Sequence, residues 1–167
     1  MVEISIPRFG PGRSPSDKLV IKTIVSDYTG TLSCGGRLTR GVEDRLRRLK
    51  AYLDIHVVSS DSFGTAQGQL AAIPLEPYIL RTDKHDEEKR EYVQSREPST
   101  IAAFGNGKND ALMLEAVKTA GGLAIAVDNG EGCAFEAMQN AHIFITGITN
   151  ALDLLLEPTR CKATLRT

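Results

Sequence analysis

The sequence predicts a doubly wound α/β domain, a mostly parallel sheet with helices packed on both faces, three layers in all. Two observations carry the prediction. Short apolar runs at Thr23–Ser26 (TIVS) and at residues 55–58 (IHVV), 78–80 (YIL), 101–104 (IAAF), 123–127 (LAIAV) and 142–145 (HIFI) have the length and side chains of buried strands. The segments between them carry helical spacing, and strands separated by helices pair in parallel through right-handed crossovers. The length agrees, because 167 residues bury one core but not a core plus a large second domain. Residues 1–167 are therefore read as a single domain.

Taken in order, residues 1–18 open with a strand-like stretch at 2–6. A turn-rich linker follows, carrying Pro7, Gly10, Pro11, Gly12, Ser14, Pro15 and Ser16. An edge strand is the most structure expected of this head. After the first buried strand, Val42, Leu46, Leu49 and Leu53 recur at steps of four, three and four, which puts them on one face of a helix. Further helices are expected at 65–72, 86–95, 110–119, 132–139 and 151–156, the fourth-strand helix ending at Gly121-Gly122. Met113 and Met138 read as core packing. His56 and His142, inside apolar strands with no cluster around them, read as satisfied core or edge residues.

Composition narrows the function classes. The net charge of −1 offers no field that would recruit nucleic acid or an anionic membrane. No apolar run approaches the roughly 20 residues that span a bilayer, and the first residues lack a signal-peptide core. A cytoplasmic protein is expected. Cys34, Cys133 and Cys161 are odd in number and widely spaced, and read as reduced thiols.

In doubly wound sheets, ligands sit beyond the carboxyl ends of the strands, near the point where strand order reverses. The residues there are Asp27, then Ser59, then the run Gly105-Asn106-Gly107-Lys108-Asn109-Asp110, with Lys89 on the preceding helix. Each has a plain structural reading: Asp27 as a turn cap, Ser59 as a strand-end residue, Lys89 as a solvated charge, Asn109 and Asp110 as helix caps. Their convergence favours chemistry. A carboxylate can attack phosphorus and split one displacement into two easier ones. Gly30 lets the following loop turn sharply, so that backbone N–H groups can face phosphate oxygens.

The run Asp27-Tyr28-Thr29-Gly30-Thr31-Leu32 resembles the first motif of the haloacid dehalogenase superfamily, and its Thr29 resembles the DKTGT of P-type ATPases. Ser59 matches the second motif, Lys89 the third, and residues 105–110 the GDGxND of the fourth. The resemblance covers residues 23 to 150. It is similar in particular to the small soluble proteins related to the phosphorylation domain of P-type ATPases. It implies a Rossmann-like core with little or no cap, and a phosphatase working through an aspartyl phosphate on Asp27. It further implies catalytic roles for Asp27, Thr29 and Lys89, and phosphate contacts from Gly30, Thr31, Ser59, Ser60, Lys89 and Asn109. The magnesium site it implies draws on the Asp27 carboxylate, the Thr29 carbonyl, Asp110 and Asn106, with waters completing an octahedron.

Two positions depart from the family. Thr29 stands where most of its phosphatases carry a second aspartate, the acid/base group, so turnover is expected to be slow and best with activated leaving groups. Asn106 replaces the first aspartate of the fourth motif and brings no charge to the metal. Only residues 33–40 and 82–86 occupy the places where a cap is usually inserted. The open site expected from this either takes a bulky phosphorylated substrate or is closed by another copy in a homo-oligomer. A phosphorylatable or Mg²⁺-binding regulatory module with little turnover is the alternative function. Tyr28, Arg37 and Arg40 are placed near the site mouth.

Overall fold

The computed structural model describes residues 1–5 and 18–166. Its strands are β1 (Val2–Ser5), β2 (Lys18–Ile21), β3 (Thr23–Ser26), β4 (Ser33–Cys34), β5 (Arg37–Leu38), β6 (Asp54–Ser59), β7 (Tyr78–Ile79), β8 (Ile101–Gly105), β9 (Leu123–Asp128) and β10 (Ile143–Thr146). The helices are α1 (Val42–Lys50), α2 (Ala66–Leu70), α3 (His85–Gln94), α4 (Ala111–Ala120), α5 (Phe135–Gln139), α6 (Ile148–Leu156) and α7 (Pro158–Leu165). Short 3₁₀ turns at Pro98–Thr100 and Lys108–Asp110 lead into β8 and α4.

All six predicted strands lie in one sheet, ordered β10-β9-β8-β3-β6-β7, with every pairing parallel. Because strand residues alternate between faces, the sheet divides its side chains between two cores. Ile24, Val57, Ala102, Phe104, Leu123, Ile125 and Val127 face α1, α2 and α6. Val25, Val58, Ala103 and Ala124 face α3, α4 and α5 through Val93, Met113, Leu114, Val117 and Ala137. This is the doubly wound, three-layer architecture expected. Order reverses between β3 and β8: the chain runs outward from β3 to β7, then returns to start β8 on the other flank of β3. Ser26 lies opposite Phe104 across that junction. The Asp27 N–H donates to the Phe104 carbonyl at 3.0 Å, fixing Asp27 just beyond both strand ends.

Three local expectations are corrected. The head does not add an edge strand to the main sheet: β1 pairs antiparallel with β2 in a separate two-stranded ribbon whose Ile4, Leu19 and Ile21 join the core beneath α7. The turn-rich residues 6–17 fall outside the described residues. Met138 is only partly covered, and Ala137 takes the core position on α5. Tyr28 is not at the site mouth. Its ring is fully buried and its hydroxyl donates to the Gly36 carbonyl at 3.0 Å.

Candidate active site

The first turn after β3 is tied by a single carbonyl. The N–H groups of Thr31, Leu32 and Ser33 all donate to Tyr28 O, at 3.3, 3.0 and 2.9 Å. These donors are committed to the turn. Gly30, at φ 77°, occupies the left-handed region, and a Cβ there would lie 2.5 Å from Asn106 Nδ2. The turn therefore needs glycine for conformation and for space. It seats Thr31 so that its hydroxyl lies 3.3 Å from Asp27 Oδ2 and 3.1 Å from Asn106 Oδ1, with one proton to share between them. Asn106 is oriented by its own amide, which donates to the Gly132 carbonyl at 3.2 Å.

At the end of β8, the chain folds back over Asp110. The N–H groups of Asn106 and Gly107 donate to Asp110 Oδ2 at 3.0 and 2.9 Å, leaving Oδ1 for a different partner. That partner is Lys89. Its ammonium lies 2.6 Å from Asp110 Oδ1 and 2.6 Å from Asp27 Oδ1, joining α3, the end of β3 and the start of α4. Lys89 and Asp110 are fully buried, and Asp27 is 5% exposed, so this cluster forms the floor of the site.

Two carboxylates and one ammonium make a buried group of net charge −1. Burial pushes the Asp27 carboxyl up to about 7, the Asp110 charge adds to the rise, and Lys89 opposes it. Burial works against the Lys89 charge, but the Asp110 and Asp27 carboxylates outweigh it and hold the ammonium above its usual range. A divalent cation would bring the cluster to +1, the sign that suits a phosphate dianion.

The residues fit a magnesium ion. Asp27, Asp110 and the Asn106 amide oxygen, with the Thr29 carbonyl that the resemblance adds, would make an oxygen-only donor set, and Mg²⁺ binds through one or two carboxylates while keeping several waters. Among the described residues, no three His, Cys, Asp or Glu side chains gather as a softer metal's cage would require. Thr29 Oγ1 is, among the described residues, the buried side-chain oxygen without a hydrogen-bond partner, a polar atom at the site that a ligand would satisfy.

The remaining predicted residues make no hydrogen bond to Asp27, Lys89 or Asp110. Ser59, buried at the end of β6, accepts the Asp61 N–H at 2.8 Å through its hydroxyl and keeps its own proton to donate. Ser60 pairs with Ser62 at 3.1 Å between hydroxyl oxygens. Asn109 lies in the 3₁₀ turn beside Gly107. No contact joins Ser60 or Asn109 to Asp27. Three features were not anticipated. Asp61 holds a positive φ of 48° and its carboxylate accepts the Thr65 and Ala66 N–H groups at the start of α2. Glu88, next to Lys89, binds Arg81 N, Thr82 N, the Thr82 hydroxyl and the Tyr78 hydroxyl. The β4–β5 hairpin turns on Gly35 and Gly36, both at positive φ.

No protein-family model matches the chain. An uncharacterized protein of Methanocaldococcus jannaschii is 41% identical over 66 residues, covering 40% of this chain and 67% of that protein. The two belong to one family. Solved structures reach farther along the chain. A protein described as a 3-deoxy-D-manno-octulosonate 8-phosphate phosphatase from Vibrio cholerae superposes with a TM-score of 0.65 at 15% identity, covering 89% of each chain. The 3-deoxy-D-manno-octulosonate 8-phosphate phosphatase of Moraxella catarrhalis, solved with magnesium, phosphate and the sugar acid, gives 0.62 at 15% identity, covering 86% of this chain and 90% of that one. The cobalt-bound Haemophilus influenzae phosphatase gives 0.62 at 13% identity, covering 88% and 94%. The chain has the haloacid dehalogenase fold. Within it, the switch point between β3 and β8 carries Asp27 and the run that ends in Asp110, and α3 supplies Lys89 from one face of the sheet. Among the described residues, no helix is long and apolar enough to cross a membrane.

Proposed function

We propose that this chain is a Mg²⁺-dependent phosphohydrolase that passes the phosphoryl group of its substrate through an aspartyl phosphate on Asp27. The observation that carries the reading is the buried Asp27–Lys89–Asp110 cluster at the topological switch point, with both carboxylates 2.6 Å from one ammonium. Such a group is costly to bury, and buried titratable clusters of this kind concentrate at functional sites. The Asp27 carboxylate is the nucleophile: its oxygen forms a bond to phosphorus as the bond from phosphorus to the leaving oxygen breaks. Lys89 neutralises the developing charge, favours the ionised form of Asp27 against the burial that opposes it, and orients the carboxylate. Asp110, fixed by two backbone N–H groups, orients Lys89. Thr31 holds the second Asp27 oxygen, and Ser59 and Thr29 supply hydroxyls toward the phosphoryl oxygens. Bound magnesium would be held by Asp27, Asp110, the Thr29 carbonyl and Asn106, and would supply charge for clamping the phosphate.

Thr29 cannot protonate a leaving group near neutral pH, so the departing oxygen takes its proton from solvent, and the acyl phosphate awaits water without a general base. Good leaving groups are therefore favoured and the intermediate is long-lived, as in the P-type ATPase-like proteins that the Asp27–Leu32 run resembles. The same threonine supports a second reading, in which the phosphorylated or Mg²⁺-bound chain is a signalling state and turnover is incidental. Hydrolysis of para-nitrophenyl phosphate with Mg²⁺ or with EDTA, by wild type and Asp27→Asn, tests the first reading. Activity needing both the metal and Asp27 is expected. Equal activity in the variant would exclude Asp27 as the nucleophile.

A further inference from the structure

Two large apolar side chains stand exposed after strands that flank the candidate active site, one in the loop after β6 and one at the first residue of α5. Phe63 is 53% and Phe135 64% exposed. Scattered apolar residues on a surface need no explanation, and the other large exposed ones lie elsewhere. Ile79 and Phe144 sit on the outer strands β7 and β10, Tyr52 precedes β6 at the amino edge of the sheet, and Met1 precedes β1. Phe63 and Phe135 differ in being tied to the site itself.

Phe63 follows Ser59 in the loop after β6 and lies directly against the β4–β5 hairpin, where a Cβ on Gly36 would come within 2.9 Å of its Cβ and Cγ. The Gly36 carbonyl is fixed from beneath by the Tyr28 hydroxyl at 3.0 Å and from the side by the Thr65 hydroxyl at 2.6 Å. Phe135 begins α5, immediately after Ala134, whose N–H donates to the Asn106 carbonyl at 2.7 Å. Asn106 in turn reaches Thr31 and, through it, Asp27. The backbone beneath each ring is therefore held by contacts that lead to the phosphate end of the site. The hairpin between them is latched to both loops, to the first by Gly36 and to the second by the Gly35 N–H donating to Glu131. A substrate whose phosphate reaches Asp27 has its remaining part beyond the strand ends, where these two loops lie.

We infer that Phe63 and Phe135 are specificity-determining residues that contact the leaving group, and that the substrate is a phosphomonoester or acyl phosphate carrying a planar aromatic body. The inference rests on the phosphohydrolase reading. Aromatic contacts stabilise a bound ring by face or edge packing and discriminate poorly between different rings, so they define a class of leaving group.

The test compares 2-naphthyl phosphate with acetyl phosphate, a compact activated phosphate, in wild type, Phe63→Ala, Phe135→Ala and the ring-preserving Phe63→Tyr and Phe135→Tyr. The ratio of kcat/KM for naphthyl over acetyl phosphate should fall about three- to tenfold in each alanine variant, through KM, and recover in the tyrosine variants. The ratio cancels any general loss of folding or chemistry. If wild type turns over both compounds in an Asp27-dependent way but the ratio does not move, the aromatic assignment is wrong and the phosphohydrolase reading stands. If wild type turns over neither, both fall. Sedimentation of the same proteins covers the competing occupant: a dimer lost in the alanine variants, with the ratio unmoved, would make this rim a contact between copies and overturn the inference.

Discussion

At the scale of single residues, the site is a charge problem solved by Lys89. Among the described residues, its ammonium is the positive partner that joins Asp27 and Asp110, and both bonds are short. Replacing Lys89 with methionine leaves two buried carboxylates facing one another. Breaking a buried ion pair from one side costs about 3–5 kcal/mol, and urea unfolding of metal-free Lys89→Met should show a loss of that order. Adding Mg²⁺ should recover more stability in the variant than in wild type, because the cation replaces the missing charge; equal recovery in both would place the metal away from this pair. On the proposed mechanism, Thr29 is the residue expected to limit the rate. Thr29→Asp restores an acid/base group where the hydroxyl now lacks a partner, and turnover of a poor leaving group should rise at least tenfold, within the roughly 10²–10⁴ that general acid–base catalysis supplies. An unchanged rate would show that the missing acid/base group does not limit turnover.

At the scale of elements, α3 matters because Lys89 rides on it. Glu88 fastens the first turn of that helix to the end of β7 through the Tyr78 hydroxyl and the Arg81 and Thr82 donors. Burial alone would raise the Glu88 carboxyl, but these donors hold it below the usual carboxylate range. Glu88→Ala should lower stability by about 1–2 kcal/mol and reduce kcat with little change in KM, since it loosens the helix carrying Lys89 without touching substrate. A change confined to KM would argue against that positioning role.

The elements also show what was readable from the sequence. The six sheet strands were legible because strands buried on both faces are continuous apolar runs. Strand β1 was legible as the strand-like stretch at 2–6, but its partner β2 was not, because KLVI and TIVS are separated by Lys22 alone and look like one stretch. Lys22 divides them physically: its N–H donates to Thr100 and its carbonyl accepts from Asp54, while the residues before it pair with β1. The β4–β5 hairpin, two residues per strand, was too short for any alternation. Its Gly-Gly turn was the available signal. Helix α7 turns only Cys161 fully inward, so it lacks an apolar stripe, although Pro158 at its first position marks a helix start. At the site, the motif residues Asp27, Lys89, Asn106 and Asp110 could be named from their order along the chain. That Glu88 anchors Lys89, and that Thr31 bridges Asp27 and Asn106, depends on contacts between distant segments that no local pattern encodes.

At the scale of the whole molecule, stability and chemistry depend on pH in separable ways. His142, just before β10, accepts the Ala124 N–H through Nδ1 at 3.1 Å, a bond that requires that nitrogen unprotonated. Burial pushes its pKa down to about 4, and Lys118 adds to the fall. Because the folded value lies below the unfolded one, near 6.5, the unfolded chain binds more protons between these limits. The contribution is therefore present above about pH 6.5 and lost as pH falls toward about 4, on the order of 1–2 kcal/mol after allowance for solvent screening. His142→Asn keeps an acceptor that does not titrate. Its unfolding free energy should lose less than that of wild type across this window, and parallel curves would show that His142 does not drive the acid sensitivity.

Chemistry at the other end of the sheet is tested most directly by trapping the intermediate. Wild type and Asp27→Asn, each mixed with acetyl phosphate and either Mg²⁺ or EDTA, then quenched in acid, can be compared by intact mass and by peptide mapping. One added phosphoryl group is expected, only in wild type with Mg²⁺, located on Asp27 and removed by hydroxylamine as an acyl phosphate must be. Label on another residue, or equal label in Asp27→Asn, would contradict it.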